Sequence, residues 1–188
     1  MIETQRLTLR QLVPADCAAL QTLLGDDEVM ESSERGPLGE EEVETWLKSE
    51  IDEYMKDNEA GRLAVVRKSD SQLIGYCGLT FFPDIDGIAE YEIGYRLIRS
   101  AWGSGYATEA AIAVRDHAFA VLNLTRLIAL IEPFNKRSIR VAEKMGMKYE
   151  KDVFLPEYGH PDHVYSMHMP EELSAPSGRI APFAQAGL

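Results

Sequence analysis

Polar and apolar residues alternate over residues 6–11, the period-two signature of a strand with one buried face, here of edge type. Pro14 and Asp16 then open a helix whose inner face carries Cys17, Leu20 and Leu24. Over residues 40–55, Val43, Leu47, Ile51 and Tyr54 recur at helical spacing beneath an acidic exterior. The run Glu40-Glu41-Glu42 falls at the start of that helix, where the dipole favours negative charge. Three strands are expected near residues 62–67, 73–82 and 88–97, with turn compositions at Ser69-Asp70-Ser71 and Pro83-Asp84-Ile85-Asp86-Gly87 between them. An alanine-rich helix follows over residues 106–122. The nearly unbroken apolar run 126–132 suits a central strand. A short helix starts near Asn135 and ends at Gly146, which takes the left-handed position after the last turn. Two final strands, near 149–154 and 164–169, are joined by a loop that contains His160-Pro-Asp-His163. From Ser174 the chain turns to Ala, Pro and Gly and reads as a flexible tail.

Composition narrows this picture. With 188 residues, 45% of them hydrophobic, residues 1–173 are expected to form one domain with a substantial core and no second domain or repeat. No apolar run approaches the roughly 20 residues that span a bilayer. The N-terminus lacks a basic segment followed by an apolar one, so a cytoplasmic protein without membrane contact is expected. Cys17 and Cys77 are solitary and read as buried reduced thiols. A net charge of −12 argues against general nucleic-acid binding. It suits a cationic partner, and equally an acidic surface that serves solubility.

The chemistry concentrates in residues 99–110, Arg-Ser-Ala-Trp-Gly-Ser-Gly-Tyr-Ala-Thr-Glu-Ala. A glycine turn between a strand and a helix start leaves free backbone N–H groups, and the helix dipole adds to them; together they favour a phosphate or pyrophosphate. Gly103 and Gly105 let backbone approach such a ligand. The turn lacks the Lys-Ser or Lys-Thr pair of a Walker loop. It also lacks the small third residue of a dinucleotide fingerprint, where Thr108 stands, and half the chain precedes it. It resembles instead the acyl-CoA turn of the GNAT N-acetyltransferase superfamily, Gln/Arg-x-x-Gly-x-Gly/Ala, with Trp-Gly-Ser-Gly-Tyr-Ala at residues 102–107. Trp102 departs from the usual Gln or Arg, as it does in the branch that includes enzymes acetylating the N-termini of ribosomal proteins. Thr4-Gln-Arg-Leu-Thr-Leu-Arg10 with Asp16, Glu92-Ile-Gly-Tyr95, and Asn135-Lys-Arg-Ser138 followed by Glu143-Lys-Met-Gly146 resemble other segments of that branch, in its order.

The resemblance implies a mixed α/β (α+β) fold: a twisted, mostly antiparallel sheet of about seven strands with helices on both faces. It implies acetyl-CoA as co-substrate, held by Trp102, Gly103, Ser104, Gly105, Tyr106, Ala107 and Thr108 at the turn. Tyr95, Arg96 and Leu97 would offer backbone groups to the pantetheine arm in a gap beside the strand. Asn135 would cap its helix and bond the same arm. Ser138 would stand near the leaving thiolate as the acid; the tyrosine that many members place seven residues after the asparagine is Ala142 here.

The residues themselves supply a base. Glu90 and Glu92 share one strand face, and Glu92 is nearer the turn. Like-charge closeness and burial would raise its proton affinity to a useful level; both carboxylates also read as solvent-facing or paired with a basic residue. Gly94 marks a bulge or a close ligand approach, or is a plain strand glycine. His160, His163 and His168 lack metal-ligand spacing, so no metal is expected. Tyr158 and His160 are placed to meet an acceptor, although a plain loop explains them as well. The expected function is acetyl transfer from acetyl-CoA to a primary amine, on a protein N-terminus or a small molecule, by a monomer or homodimer. The alternative is a non-catalytic acyl-CoA-binding sensor or interaction module.

Overall fold

The sheet pairs strands that are mostly neighbours in sequence, with helices carried in three of the connections. In the computed structural model, residues 1–33, 35–56, 61–155 and 159–170 are described; Tyr158 and the expected tail lie outside them. The strands are β1 (Ile2–Glu3), β2 (Leu7–Gln11), β3 (Arg62–Arg67), β4 (Gln72–Ile85), β5 (Ile88–Leu97), β6 (Arg126–Ile131), β7 (Lys148–Phe154) and β8 (Pro161–His168). The helices are α1 (Cys17–Leu24), α2 (Asp27–Met30), α3 (Glu40–Lys56), α4 (Tyr106–Ala120) and α5 (Lys136–Lys144). Spatial order is β1-β2-β3-β4-β5-β6-β8-β7. All neighbours are antiparallel except β5 and β6, which run parallel because α4 carries the chain between them.

Strand alternation distributes the core onto two faces. Leu63 and Val65 of β3 point into a cluster with Ala110, Ala111 and Val114 of α4. Ala64, between them, faces the opposite cluster with Leu20, Leu23, Val43 and Leu47 of α1 and α3. Helices therefore cover both faces, as expected. Cys17 and Cys77 are free thiols, the first half-buried and the second buried. No described helix is long and apolar enough to cross a membrane.

The sheet has an eighth strand beyond the seven read from the pattern: β1, whose two residues pair with β2 but are too few for a periodic signal. The hairpin expected at residues 83–87 tightens to Asp86 and Gly87, both at positive φ, so β4 runs on to pair Ile85 with Ile88. A larger correction concerns the end of the chain. Phe154, Val153 and Asp152 pair with Pro161, Asp162 and His163, so β8 starts at Pro161 and the His160–His163 loop is mostly strand.

Candidate active site

The glycine turn has the geometry its sequence demanded. Gly103 and Gly105 adopt φ of +74° and +81°, values a side chain resists, and Gly105 is the N-cap of α4. A Cβ on Gly103 would meet no atom within 4 Å, so glycine is needed there for backbone conformation, and the space above the turn is open to a ligand. The far end of the sheet pins this turn. The Thr4 hydroxyl donates to Glu109 at 2.7 Å, and the Arg6 backbone N–H and Nε donate to the same carboxylate at 2.8 and 2.6 Å. Arg6 also donates to the Ser104 carbonyl at 2.9 Å, and its guanidinium lies 4.5 Å above the Tyr106 ring. Burial pushes the Glu109 carboxyl up, but the bonds from Thr4 and Arg6 outweigh it and hold the group below its ordinary value.

Trp102, where the superfamily usually carries Gln or Arg, acts as a brace. Its indole N–H donates to the Leu97 carbonyl at 2.8 Å. Its ring takes Arg137 at 4.1 Å and Arg99 at 4.8 Å. The end of β5, the turn and α5 are thereby tied together, and an acidic chain presents cations beside the turn. The Leu97 carbonyl is thus engaged within the chain.

Beside the turn the sheet opens. The parallel ladder between β5 and β6 holds a single registered pair, Glu92 with Ile128. Tyr95 donates from its hydroxyl to the Ser138 carbonyl at 3.3 Å, linking β5 to α5. Asn135 caps α5, accepting the Ser138 N–H at 3.0 Å, while its amide nitrogen reaches the Ser32 hydroxyl at 3.4 Å. Gly94 forms no bulge: it stays in register opposite Gly78. A Cβ there would lie 3.6 Å from the Glu92 carboxylate, so glycine keeps the space beside that group small-sided.

A cavity of about 1190 Å³ runs through this region. Glu92, Tyr95, Arg96, Asn135 and Ser138 all line it; Leu97 belongs to the core, and residues 102–108 lie outside the lining. The Arg96 guanidinium is engaged by the Met30 sulfur. Glu92 accepts the Leu130 backbone N–H. Burial raises its proton affinity, Arg62 and the Leu130 N–H oppose the rise, and the Asp162 carboxylate adds to it. Arg62 is itself engaged by buried Glu50 and lies 5.8 Å from the Tyr76 ring.

The expectation that Glu90 would raise Glu92 is overturned. Glu90 is bound by Arg126 at 2.9 Å, and Arg126 also holds Glu150 at 2.9 Å, so Glu90 is spent on a structural ion-pair network. The like charge that bears on Glu92 comes from Asp162. Sequence reasoning passed over Asp162, and over Glu50 and Arg62, because each reaches the cavity from a different element. His163 contacts Asp152 at 2.6 Å, and His168 lies 3.4 Å from Arg126. Among the described residues no group of His, Cys, Asp and Glu is arranged to hold a metal ion.

The lining is acidic: Glu41, Glu42 and Glu53 of α3, with Asp84, Glu132 and Asp162, face Arg35, Arg62 and Arg96. The site therefore has two distinct parts, the glycine turn that opens α4 and the acidic cavity beside the opening between β5 and β6. Residues 6–148 match the acetyltransferase (GNAT) domain family. The uncharacterized N-acetyltransferase p20 of Bacillus licheniformis is 32% identical over 155 residues, 82% of this chain and 85% of that one. A GNAT-family acetyltransferase crystal structure from Bacillus anthracis superposes with a TM-score of 0.77 at 26% identity, covering 89% of this chain and 97% of the other. The fold is also that of a putative ribosomal-protein-serine acetyltransferase from Vibrio cholerae, with a TM-score of 0.73 at 23% identity over 89% of this chain and 97% of that one. The chain belongs to the GNAT acetyltransferase family.

Proposed function

We propose that the protein transfers an acetyl group from acetyl-CoA to a primary amine by direct attack within a ternary complex. The observation that carries this reading is Glu92: a carboxylate of raised proton affinity in an acidic cavity beside the opening between β5 and β6. The turn residues Trp102 to Thr108 fit a pyrophosphate, since Gly103 and Gly105 hold positive φ with open space above Gly103. Asn135, Tyr95 and Arg96 would line the course of the pantetheine, with the Leu97 carbonyl shared with Trp102. Acetyl-CoA supplies an activated thioester carbonyl.

An alkyl ammonium attacks only after losing a proton, and a lysine-type amine has an ordinary pKa near 10.4. Glu92 takes that proton, and the amine lone pair forms the C–N bond. When the C–S bond breaks, the second nitrogen proton passes to the thiolate, relayed by the hydroxyl of Ser138, a residue that borders the cavity. The proton on Glu92 then leaves to solvent. Holding amine and thioester together supplies much of the rate. A protein N-terminus and a small cationic amine both suit this chemistry. The acidic lining favours the cationic small molecule.

The test is thiol release from acetyl-CoA across Ser- and Ala-starting peptides, polyamines and aminoglycosides. Acceptor-dependent release with intersecting initial-velocity lines is expected. Parallel lines would point to an acetyl-enzyme, and CoA binding without acceptor-dependent release would leave an acyl-CoA-binding module.

A further inference from the structure

Asp162 is a buried carboxylate with one oxygen that receives no hydrogen bond. The residue is 6% exposed, its Oδ1 receives no hydrogen bond, and it lines the cavity. The His160 Nδ1 lies 3.3 Å from that oxygen but off the line of a hydrogen bond, and it too is buried without one. A charged oxygen withdrawn from water without a donor is costly, and on the wall of a cavity it is open to a donor brought by a ligand. The donor here is a cation, because Glu132, Asp84 and Glu53 share the same lining.

Position sets the spacing. Glu92 lies on β5 and Asp162 on β8, with β6 between them. Glu92 stands opposite Ile128, Ile128 opposite Ser166, and Asp162 lies four residues further along β8 on the same face. Two strand intervals and four residues place their backbones about 16 Å apart, and both side chains reach towards each other in one cavity. A single ammonium does not bridge that span. A molecule with two ammonium groups joined by a few methylenes does, with one nitrogen at Glu92 and the other at Asp162.

We propose that Asp162 binds a second cationic nitrogen of the acceptor, so that the preferred substrate is a primary amine carrying another ammonium a short aliphatic chain away. This rests on acetyl transfer as the activity, but the binding site can be tested without it. The full chain, loaded with CoA, is titrated calorimetrically with 1,5-diaminopentane and with pentylamine, and thiol release from acetyl-CoA is measured with both. The wild type should favour the diamine about tenfold or more in Kd. In Asp162→Asn the two amines should come within about twofold, through loss of diamine binding alone. His160→Lys, which supplies Asp162 with a permanent cation from a partly exposed position, should abolish the preference in the same way, and it carries the test if the asparagine variant fails to fold. Equal affinities in the wild type, or a preference that survives both substitutions, would overturn the proposal. A diamine preference in binding without thiol release from any amine would overturn acetyl transfer and leave the Asp162 site standing.

Discussion

The turn around Gly103 and Gly105 is made largely by neighbours in sequence, with Thr4 and Arg6 brought from afar to hold Glu109 and Ser104, and Arg137 to cover the Trp102 ring. The acidic end of the site gathers Glu50 from α3, Arg62 from β3, Glu92 from β5 and Asp162 from β8. Their charges also behave differently. At the turn, Glu109 is exposed enough, and bonded well enough, to stay ionised below its ordinary value. In the cavity, burial raises both Glu92 and Asp162 in spite of nearby cations. A turn that recognises phosphate needs backbone geometry, which a short peptide can specify. A pocket that takes a proton from an ammonium needs withdrawn charge, which only tertiary packing produces.

That contrast is sharpest at Glu92. Glu92→Gln should lower kcat about 100-fold or more, the usual scale of a lost general base, with the KM for acetyl-CoA nearly unchanged. The same substitution should raise the melting temperature at pH 7. The folded-state pKa of Glu92 is raised, so its favourable share in stability is present below the unfolded value of 4.5 and is lost as pH rises through the folded value. Replacing it removes that loss. An inactive variant with a lower melting temperature would mean that Glu92 is structural.

The opposite end is probed by Gly105→Val. A β-branched residue at φ +81° resists this N-cap conformation and turns the cradle N–H groups away. The KM for acetyl-CoA should rise about tenfold or more, with acceptor affinity little changed when the protein is saturated with CoA. Loss of acceptor binding instead would mean that the two ends are not separate.

The smallest effect belongs to the brace. Glu109→Gln keeps the shape but weakens the bonds to Thr4 and Arg6, whose ion pair is partly solvent-exposed. It should cost about 0.5–1 kcal/mol, the scale of a screened pair. Because the Glu109 pKa is lowered, that contribution is present above the unfolded carboxyl value and disappears as pH falls through the folded one. Urea melts of both proteins at pH 7 and in acid would test this.

What could be read from the sequence follows the same division. Helical stripes at Val43, Leu47 and Ile51, the apolar run of β6 and the strand–glycine–helix order at residues 99–110 are local, and the structure repeats them nearly in place. Glu92 was visible because it shares a strand face with Glu90 and lies nearer the glycine turn. Its neighbour Glu90 misled, since the ion pair with Arg126 spans 36 residues and leaves no local trace. Asp162 was hidden for another reason. Its flanking His and Pro read as a loop, while pairing of Val153 with Asp162 makes it strand and turns it inward. The brace by Trp102 was seen only as a departure from a motif; its partners Leu97, Arg99 and Arg137 come together in the folded chain.

The central claim is that Glu92, held at raised proton affinity in the acidic cavity, accepts the acceptor's proton. The most direct measurement is the pH dependence of kcat/KM for an amine acceptor at saturating acetyl-CoA, in the wild type and in Glu92→Gln. The account predicts an acid limb in the wild type whose midpoint lies above the ordinary glutamate value of 4.5, and the loss of that limb in the variant. The same limb at the same pH in both proteins would contradict it, and would assign proton transfer to another group.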